Sequence, residues 1–139
     1  MTRWIVDGMN VIGSRPTGWW RDRPRAIREL VDELAAFAAE IDEPVTVVFD
    51  GRRLELEGAG PGEARDEEPV GRVEVRFASR RGRNAADDDI AALVSDSPEP
   101  TLLRVVTSDR DLERRVRESG ADVMGAGAFR ARLDELSGP

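Results

Sequence analysis

A chain of 139 residues is long enough for one compact domain but short for two, and no apolar run approaches the roughly 20 residues that cross a bilayer. All 21 basic residues are Arg, so the absence of Lys, His and Cys excludes zinc sites, thiol chemistry, Ser-His-Asp catalysis and Lys-dependent phosphate loops. The net charge of −7 argues against a protein that coats nucleic acid. Any enzyme chemistry must come from carboxylates, hydroxyls, Arg and a hard ion such as Mg²⁺ or Mn²⁺.

The first strand is predicted at Arg3-Trp4-Ile5-Val6, and it leads into Asp7-Gly8-Met9-Asn10, a turn that Gly8 and Gly13 can bend. Asp7 therefore lies at the carboxyl end of the earliest strand, where open parallel sheets place their ligands. Because Asp7 also interrupts the apolar run, no signal peptide is predicted, and a cytoplasmic location is the default expectation.

A loop rich in Gly, Pro and Trp follows, and then apolar residues at helical spacing predict a helix from near Pro24 to about Glu40. Trp19 and Trp20 precede this helix. They could stack on nucleic-acid bases, but large aromatic residues beside a helix start more often close the edge of a core.

The second strand, predicted over residues 45–49, is apolar enough to be covered on both faces, and it ends in Asp50-Gly51. Asp50 can be a turn former or a member of a metal site, and both interpretations stay open. The stretch from Leu54 to Gly71 is rich in Glu, Gly and Pro, which predicts a mobile loop. Alternating apolar residues from Val73 to Phe77 then predict a strand near the sheet edge.

A cluster of Arg residues follows this strand, at Arg80, Arg81 and Arg83. Such a cluster can bind phosphates on an otherwise acidic protein, although Arg on a solvated face is an equally good explanation for any one of them.

The Arg cluster leads into three acids in a row, Asp87 to Asp89, which open a helix with Asn84 as its predicted N-cap. Asp87 is the acid best placed toward the core, since Asp88 is rotated roughly 100° away from it. Stabilisation of the helix dipole explains one or two acids in a first turn, but not three.

A third buried strand is predicted over residues 102–106, followed by Thr107-Ser108-Asp109-Arg110-Asp111 at the start of a helix. Ser108 and Asp111 have the spacing of a capping box, so Asp111 has a structural explanation that Asp109 lacks. A short strand over residues 121–124 and a helix through Phe129 complete the single predicted domain of residues 1–139.

Three acids at the ends of different elements predict a metal site. Two carboxylates about 4 Å apart repel by roughly 4 kcal/mol at an effective dielectric constant near 20, and a divalent cation removes that cost. It also polarises a phosphodiester and generates a hydroxide nucleophile. We therefore expect Asp7 and carboxylates from the two later segments, residues 87–89 and 109–111, to converge on one cation for phosphodiester hydrolysis.

Four segments resemble, in order and context, the NYN domain family, and most of all its YacP-like branch, which is related to the PIN-domain nucleases. The resemblance runs from Trp4 to about Leu136. It implies an α/β fold of the PIN-like type, with three α-β-α layers around a central, mainly parallel sheet, and a Mg²⁺- or Mn²⁺-dependent ribonuclease activity. The segments are Asp7-Gly8-Met9-Asn10, Val47-Val48-Phe49-Asp50-Gly51, Ala86-Asp87-Asp88-Asp89-Ile90 and Thr107-Ser108-Asp109-Arg110-Asp111-Leu112.

The resemblance also implies roles for individual residues. Asp7, Asp87 and Asp109 would be the catalytic metal ligands, with Asp88 and Asp111 in support. The substrate-binding set would comprise Asn10, Ser108, Arg80, Arg81 and Arg83, with Asn10 orienting either the substrate or the loop after the first strand. Asp89 makes a triplet where the family more often has a pair, which leaves open which neighbour points inward.

YacP-like members include an endoribonuclease that acts on messenger RNA at the ribosome, so RNA is the expected partner, and a ribosome link is an expectation that the resemblance brings. Two alternatives compete with a nuclease. The first is a non-catalytic RNA- or ribosome-binding adaptor on the same fold. The second is a small-molecule phosphatase, which ranks last because the chain has no Lys.

Overall fold

The structure, a computed structural model, describes residues 2–15, 18–50, 72–78 and 84–136 and the backbone of 68–70. Within these residues the chain forms one six-stranded sheet, whose strands are β1 (Arg3–Asp7), β2 (Val45–Phe49), β3 (Glu68–Val70), β4 (Val73–Phe77), β5 (Leu103–Val106) and β6 (Asp122–Met124). The strand order is β3-β4-β2-β1-β5-β6, and every pair is parallel except the antiparallel β3 and β4. The expectation of a mainly parallel sheet is confirmed.

The described α-helices pack on both faces of this sheet: α1 (Gly8–Gly13), α2 (Arg23–Ile41), α3 (Ala85–Ser95), α4 (Arg110–Glu118) and α5 (Ala126–Leu136). Helices α1, α2 and α5 contact one another on one face, and α3 contacts α4 on the other. A separate cluster of buried apolar residues lies under each group of helices. The predicted three-layer α-β-α arrangement is therefore confirmed.

The alternation of side chains along the central strands decides which layer the polar residues at their ends face. Ile5 of β1 lies in the apolar cluster beneath α3 and α4, so Asp7, two residues later, points into the same layer. Asp50 and Thr107 also follow by two positions a residue of that cluster, in β2 and β5 respectively. All three polar residues thus meet α3 and α4 at the carboxyl edge of the sheet.

Two local expectations differ from the structure. The segment after β1 is not a turn, because α1 begins directly at Gly8. A Cβ atom there would lie 2.4 Å from Cε1 of Phe49, so the absence of a side chain permits close packing of α1 on β2. The predicted loop of residues 54–71 lies outside the described residues except for 68–70, whose short edge strand β3 the sequence patterns did not reveal.

No helix in the described parts of the chain is both long enough and apolar enough to cross a bilayer.

Candidate active site

A cavity of about 330 Å³ opens at the carboxyl edge of the sheet, lined by Asp7, Met9, Asn10, Asp50, Asn84, Asp87 and Asp109. Its four acids come from the end of β1, the residue after β2, the first turn of α3 and the residue before α4. A parallel sheet places the carboxyl ends of its strands side by side, which is why distant segments meet here. The three acids expected to converge therefore line one cavity, together with Asp50.

A larger cavity, of about 450 Å³, lies at the opposite edge of the sheet, beside Arg3, Pro44 and Leu103. Its lining includes three Arg side chains but only two acids, Glu74 and Asp96. Size alone would favour it as a site, whereas only the smaller cavity gathers enough carboxylates for metal chemistry. We therefore assign the candidate active site on the chemistry of the lining.

Asp7 is the most buried acid of the site, with 5% of its surface exposed. Burial raises its pKa to about 7, even though a hydrogen bond from Thr107 and the backbone amide of Asn10 lower it. The negative charges of Asp87 and Asp50 raise the pKa of Asp7 further. Asp7 is thus held in a cavity that disfavours its charged form.

Asp87 shows the same effect to a smaller degree. Burial raises its pKa to about 6, and the neighbouring charges of Asp109, Asp50 and Asp88 add to the rise, while Arg115 lowers it. The carboxylates of the cavity therefore repel one another through space. A concentration of negative charge of this kind favours a bound cation.

Asp109 is the N-cap of α4, because its Oδ1 accepts a hydrogen bond of 3.0 Å from the backbone amide of Leu112. The capping box predicted from Ser108 to Asp111 is therefore wrong by one residue. Ser108 instead joins two other elements. Its amide donates to Asn10 Oδ1 over 2.7 Å, and its Oγ accepts a bond of 2.9 Å from the amide of Ala126 at the start of α5.

Thr107 is a part of the site that the sequence analysis did not single out. It is fully buried, and its Oγ1 donates to Asp7 Oδ2 over 2.9 Å while accepting from the amide of Asp109 over 3.1 Å. One hydroxyl thereby fixes Asp7 relative to the start of α4. The available signal was a polar residue directly after a buried strand.

Asp50 was left open between a turn and a metal site, and the structure places it at the cavity. Its Oδ1 accepts a hydrogen bond of 3.2 Å from the amide of Ala86, which joins the end of β2 to the start of α3. Asn84 also lines the cavity and precedes α3 as expected, but with a left-handed φ of 64° and without a side-chain cap. The sequence signal that pointed to Asn84 was the preference of Asn for turns at the start of a helix.

Other expected site residues lie elsewhere. Asp88 is rotated away from the cavity along α3, and its Oδ1 accepts a hydrogen bond of 2.9 Å from Arg115. Asp111 is exposed on the first turn of α4, 2.7 Å from Arg114. The structure therefore brings neither proposed supporting ligand into the cavity, and Asp89 does not line it either. Arg80, Arg81 and Arg83 lie outside the described residues.

Asn10 lines the cavity and contacts the loop between β5 and α4 through its hydrogen bond to Ser108. This bond orients the loop after β5, which differs from the expected role in orienting the loop after the first strand, and the role in orienting the substrate stays a prediction.

The lining residues fit a divalent cation in donor type. All the charged groups are carboxylates, the ligands that Mg²⁺ and Mn²⁺ prefer, and two amide side chains stand beside them. In the described ranges, however, no three acidic side chains already stand at the spacing of a metal site.

Comparison with known proteins agrees with the expected family and fold. The family model described as the YacP-like NYN domain matches residues 4–138. The chain is also similar to the crystal structure of Rae1 (YacP) from Bacillus subtilis, with 24% identity and a TM-score of 0.74 over 99% of this chain and 76% of that chain. The W164L mutant of the same protein matches with 23% identity and a TM-score of 0.70 over 99% of this chain and 77% of that chain. No curated protein matches.

Proposed function

This chain belongs to the YacP-like NYN domain family of PIN-like nucleases, and on that premise we propose that it is a divalent-metal-dependent endoribonuclease that hydrolyses RNA phosphodiester bonds. The observation that carries the proposal is the meeting of four carboxylates from distant segments in one cavity. Burial, together with the negative charge of neighbouring acids, raises the pKa of two of them, so their ionisation is costly for the protein unless a cation is bound there.

Asp7, Asp87 and Asp109 would hold Mg²⁺ or Mn²⁺, with Asp50 as a fourth candidate ligand. When bound, the ion would supply charge neutralisation and a lowered pKa for a coordinated water. The chain itself contributes by holding the carboxylate oxygens in position. Thr107 fixes the Asp7 carboxylate by a hydrogen bond of 2.9 Å, and the capping bond to Leu112 orients Asp109.

The charge of the cavity also makes substrate binding dependent on the cation. An RNA phosphate is an anion, and four carboxylates without a counterion would repel it. Arg80, Arg81 and Arg83 stay the proposed contacts for flanking phosphates. Messenger RNA as the substrate and the ribosome as a partner are proposals that rest on the family resemblance alone. A cytoplasmic location, the default expectation from the sequence, is a proposal as well.

A non-catalytic adaptor that binds RNA or the ribosome is the second candidate. The observation that favours it is the absence, within the described ranges, of three acids at metal-ligand spacing. An adaptor would keep the fold and the RNA-binding surface, but it would neither bind the cation tightly nor cut RNA.

The deciding experiment combines cleavage with a binding readout. The purified chain, Asp87→Asn and Asp111→Asn are each incubated with Mn²⁺ and labelled single-stranded RNA of mixed sequence. We expect cleavage by the unmodified chain and by Asp111→Asn, whose side chain lies outside the cavity, but not by Asp87→Asn.

Thermal melting of the same three proteins tests the cation directly. At an ion concentration 100 times its dissociation constant, binding adds about 2.7 kcal/mol to the stability of the folded chain. The unmodified chain and Asp111→Asn should show that gain, and Asp87→Asn should show much less. Intact RNA together with an unchanged melting temperature would refute the nuclease and favour the adaptor.

A further inference from the structure

Two adjacent Trp residues before α2 have different surroundings. Trp19 packs against the apolar cluster beneath α1, α2 and α5. Trp20 is 60% exposed and is the most exposed of the large apolar side chains in the described part of the chain. Their rings meet edge to face, with centroids 6.0 Å apart and planes at 84°. Trp19 therefore anchors a short turn that presents Trp20 to solvent.

This turn lies at the same edge of the sheet as the candidate active site. Because β1 and β2 are parallel, α2 must run back from the carboxyl edge to the amino edge, so its first residues lie beside the ends of the strands. A hydrogen bond fixes the placement, since Nη2 of Arg23 donates to the backbone carbonyl of Asp50 over 2.6 Å. Trp20 is three residues from Arg23, a span of at most about 11 Å.

A positively charged residue follows Trp20 directly in the chain. Arg21 is exposed, and no acidic side chain in the described ranges pairs with it. An exposed aromatic ring with an adjacent unpaired guanidinium is the combination by which proteins bind single-stranded nucleic acid, since bases stack on the ring and phosphates contact the cation. We argue for RNA rather than for a protein partner because the proposed function of the neighbouring cavity is to act on an RNA phosphate.

We propose that Trp20 and Arg21 form a subsite for single-stranded RNA next to the carboxylate cavity, where a base stacks on the indole and the flanking phosphate contacts the guanidinium. The inference rests on the proposed function, because it assigns the site an extended RNA chain as its substrate. Stacking on an indole tolerates any base, so this subsite would contribute affinity without sequence preference.

RNA binding in an inactive background tests the subsite. Each variant is made in the Asp7→Asn chain, and its affinity for a fluorescent single-stranded RNA is measured by anisotropy with Mg²⁺ present. Trp20→Ala should weaken binding about 5- to 150-fold, the usual effect of removing one stacking residue, whereas Trp20→Phe should retain most of the affinity. An abasic oligonucleotide, which cannot stack, should bind equally with and without Trp20.

The phosphate contact has its own readout. Arg21→Ala should lower the slope of log affinity against log salt by about 0.7, the effect of losing one phosphate contact to a single strand. Matched controls come from the opposite edge of the sheet, where Leu102→Ala removes a partly exposed apolar side chain and Arg3→Ala removes an exposed Arg. Neither should change RNA affinity or its salt slope beyond the general effect of charge.

The possible results distinguish a failure of this inference from a failure of the proposed function. If the unmodified chain cuts RNA but Trp20→Ala binds it as tightly as Leu102→Ala does, the subsite is wrong and the nuclease stands. If the unmodified chain neither cuts nor binds RNA, the proposed function fails, and the subsite fails with it.

Discussion

Replacement of Asp7 by Asn should stabilise the metal-free protein at alkaline pH. The pKa of Asp7 is raised from 3.8 to about 7 in the folded chain, so the folded state favours the protonated carboxyl. Its ionisation therefore opposes folding, with no cost well below pH 4 and the full cost above pH 7. A difference of about three pKa units corresponds to about 4 kcal/mol.

Most of this cost arises between pH 5 and pH 8, where the linkage relation assigns about 3 kcal/mol to Asp7. The chain has no His, so few other groups titrate in that range. Asp87, whose pKa is about 6, adds a smaller contribution because it is only half-buried and solvent screens its charge. The pH dependence of stability thus reports mainly on Asp7.

The measurement is urea denaturation at pH 5 and pH 8 with a chelator present. We expect the unmodified chain to lose stability over this interval and Asp7→Asn to lose about 3 kcal/mol less. Asp111→Asn is the matched control, since the same change on an exposed residue outside the cavity should leave the pH dependence unaltered. If the unmodified chain and Asp7→Asn lost equal stability over this interval, burial would not oppose the ionisation of Asp7.

Three further predictions concern the surroundings of Asp7. Gly8→Ala should destabilise the fold by about 1–3 kcal/mol in urea denaturation, because its new Cβ meets the buried Phe49 ring, whereas Gly13→Ala meets nothing within 4 Å and should cause no such loss. Thr107→Val should cost about 1–3 kcal/mol by leaving the amide of Asp109 without its acceptor, and it should move the alkaline loss of stability to higher pH; an unchanged pH profile would contradict the positioning role. Mn²⁺ should raise the melting temperature more at pH 8 than at pH 5, since protons compete for the Asp7 carboxylate; a pH-independent shift would place the ion elsewhere.

Patterns of neighbouring residues were sufficient to predict most of the fold. The apolar run of β2 and the helical spacing in α2 each depend on contacts that one element makes along its whole length, so their periods appear in the sequence. Local sequence patterns were less informative where two alternative local structures differ little in free energy. The helix start at Gly8 and the cap at Asp109 were each missed for this reason, and so was the short edge strand β3.

Individual acids illustrate the same limit at the site. Asp7 could be identified because it directly follows a strongly predicted strand, and Asp87 because a third acid exceeds what a helix dipole needs. Asp50 is formally similar to any Asp-Gly turn, and only the adjacency of β2 and β1 in the sheet brings it to the cavity. The sequence marked Thr107 only as a polar residue directly after a buried strand and did not reveal its partner, because its hydrogen bond to Asp7 joins residues 100 positions apart.

The sequence by itself determined the class of fold and limited the chemistry available to the chain. The order of apolar segments specifies layers, and without Lys, His and Cys any metal would bind through oxygen ligands. The tertiary structure alone decided which carboxylates share a cavity and which face solvent. The physical reason is that proximity across a parallel sheet depends on strand order and on the direction of each side chain, and neither is a property of neighbouring residues.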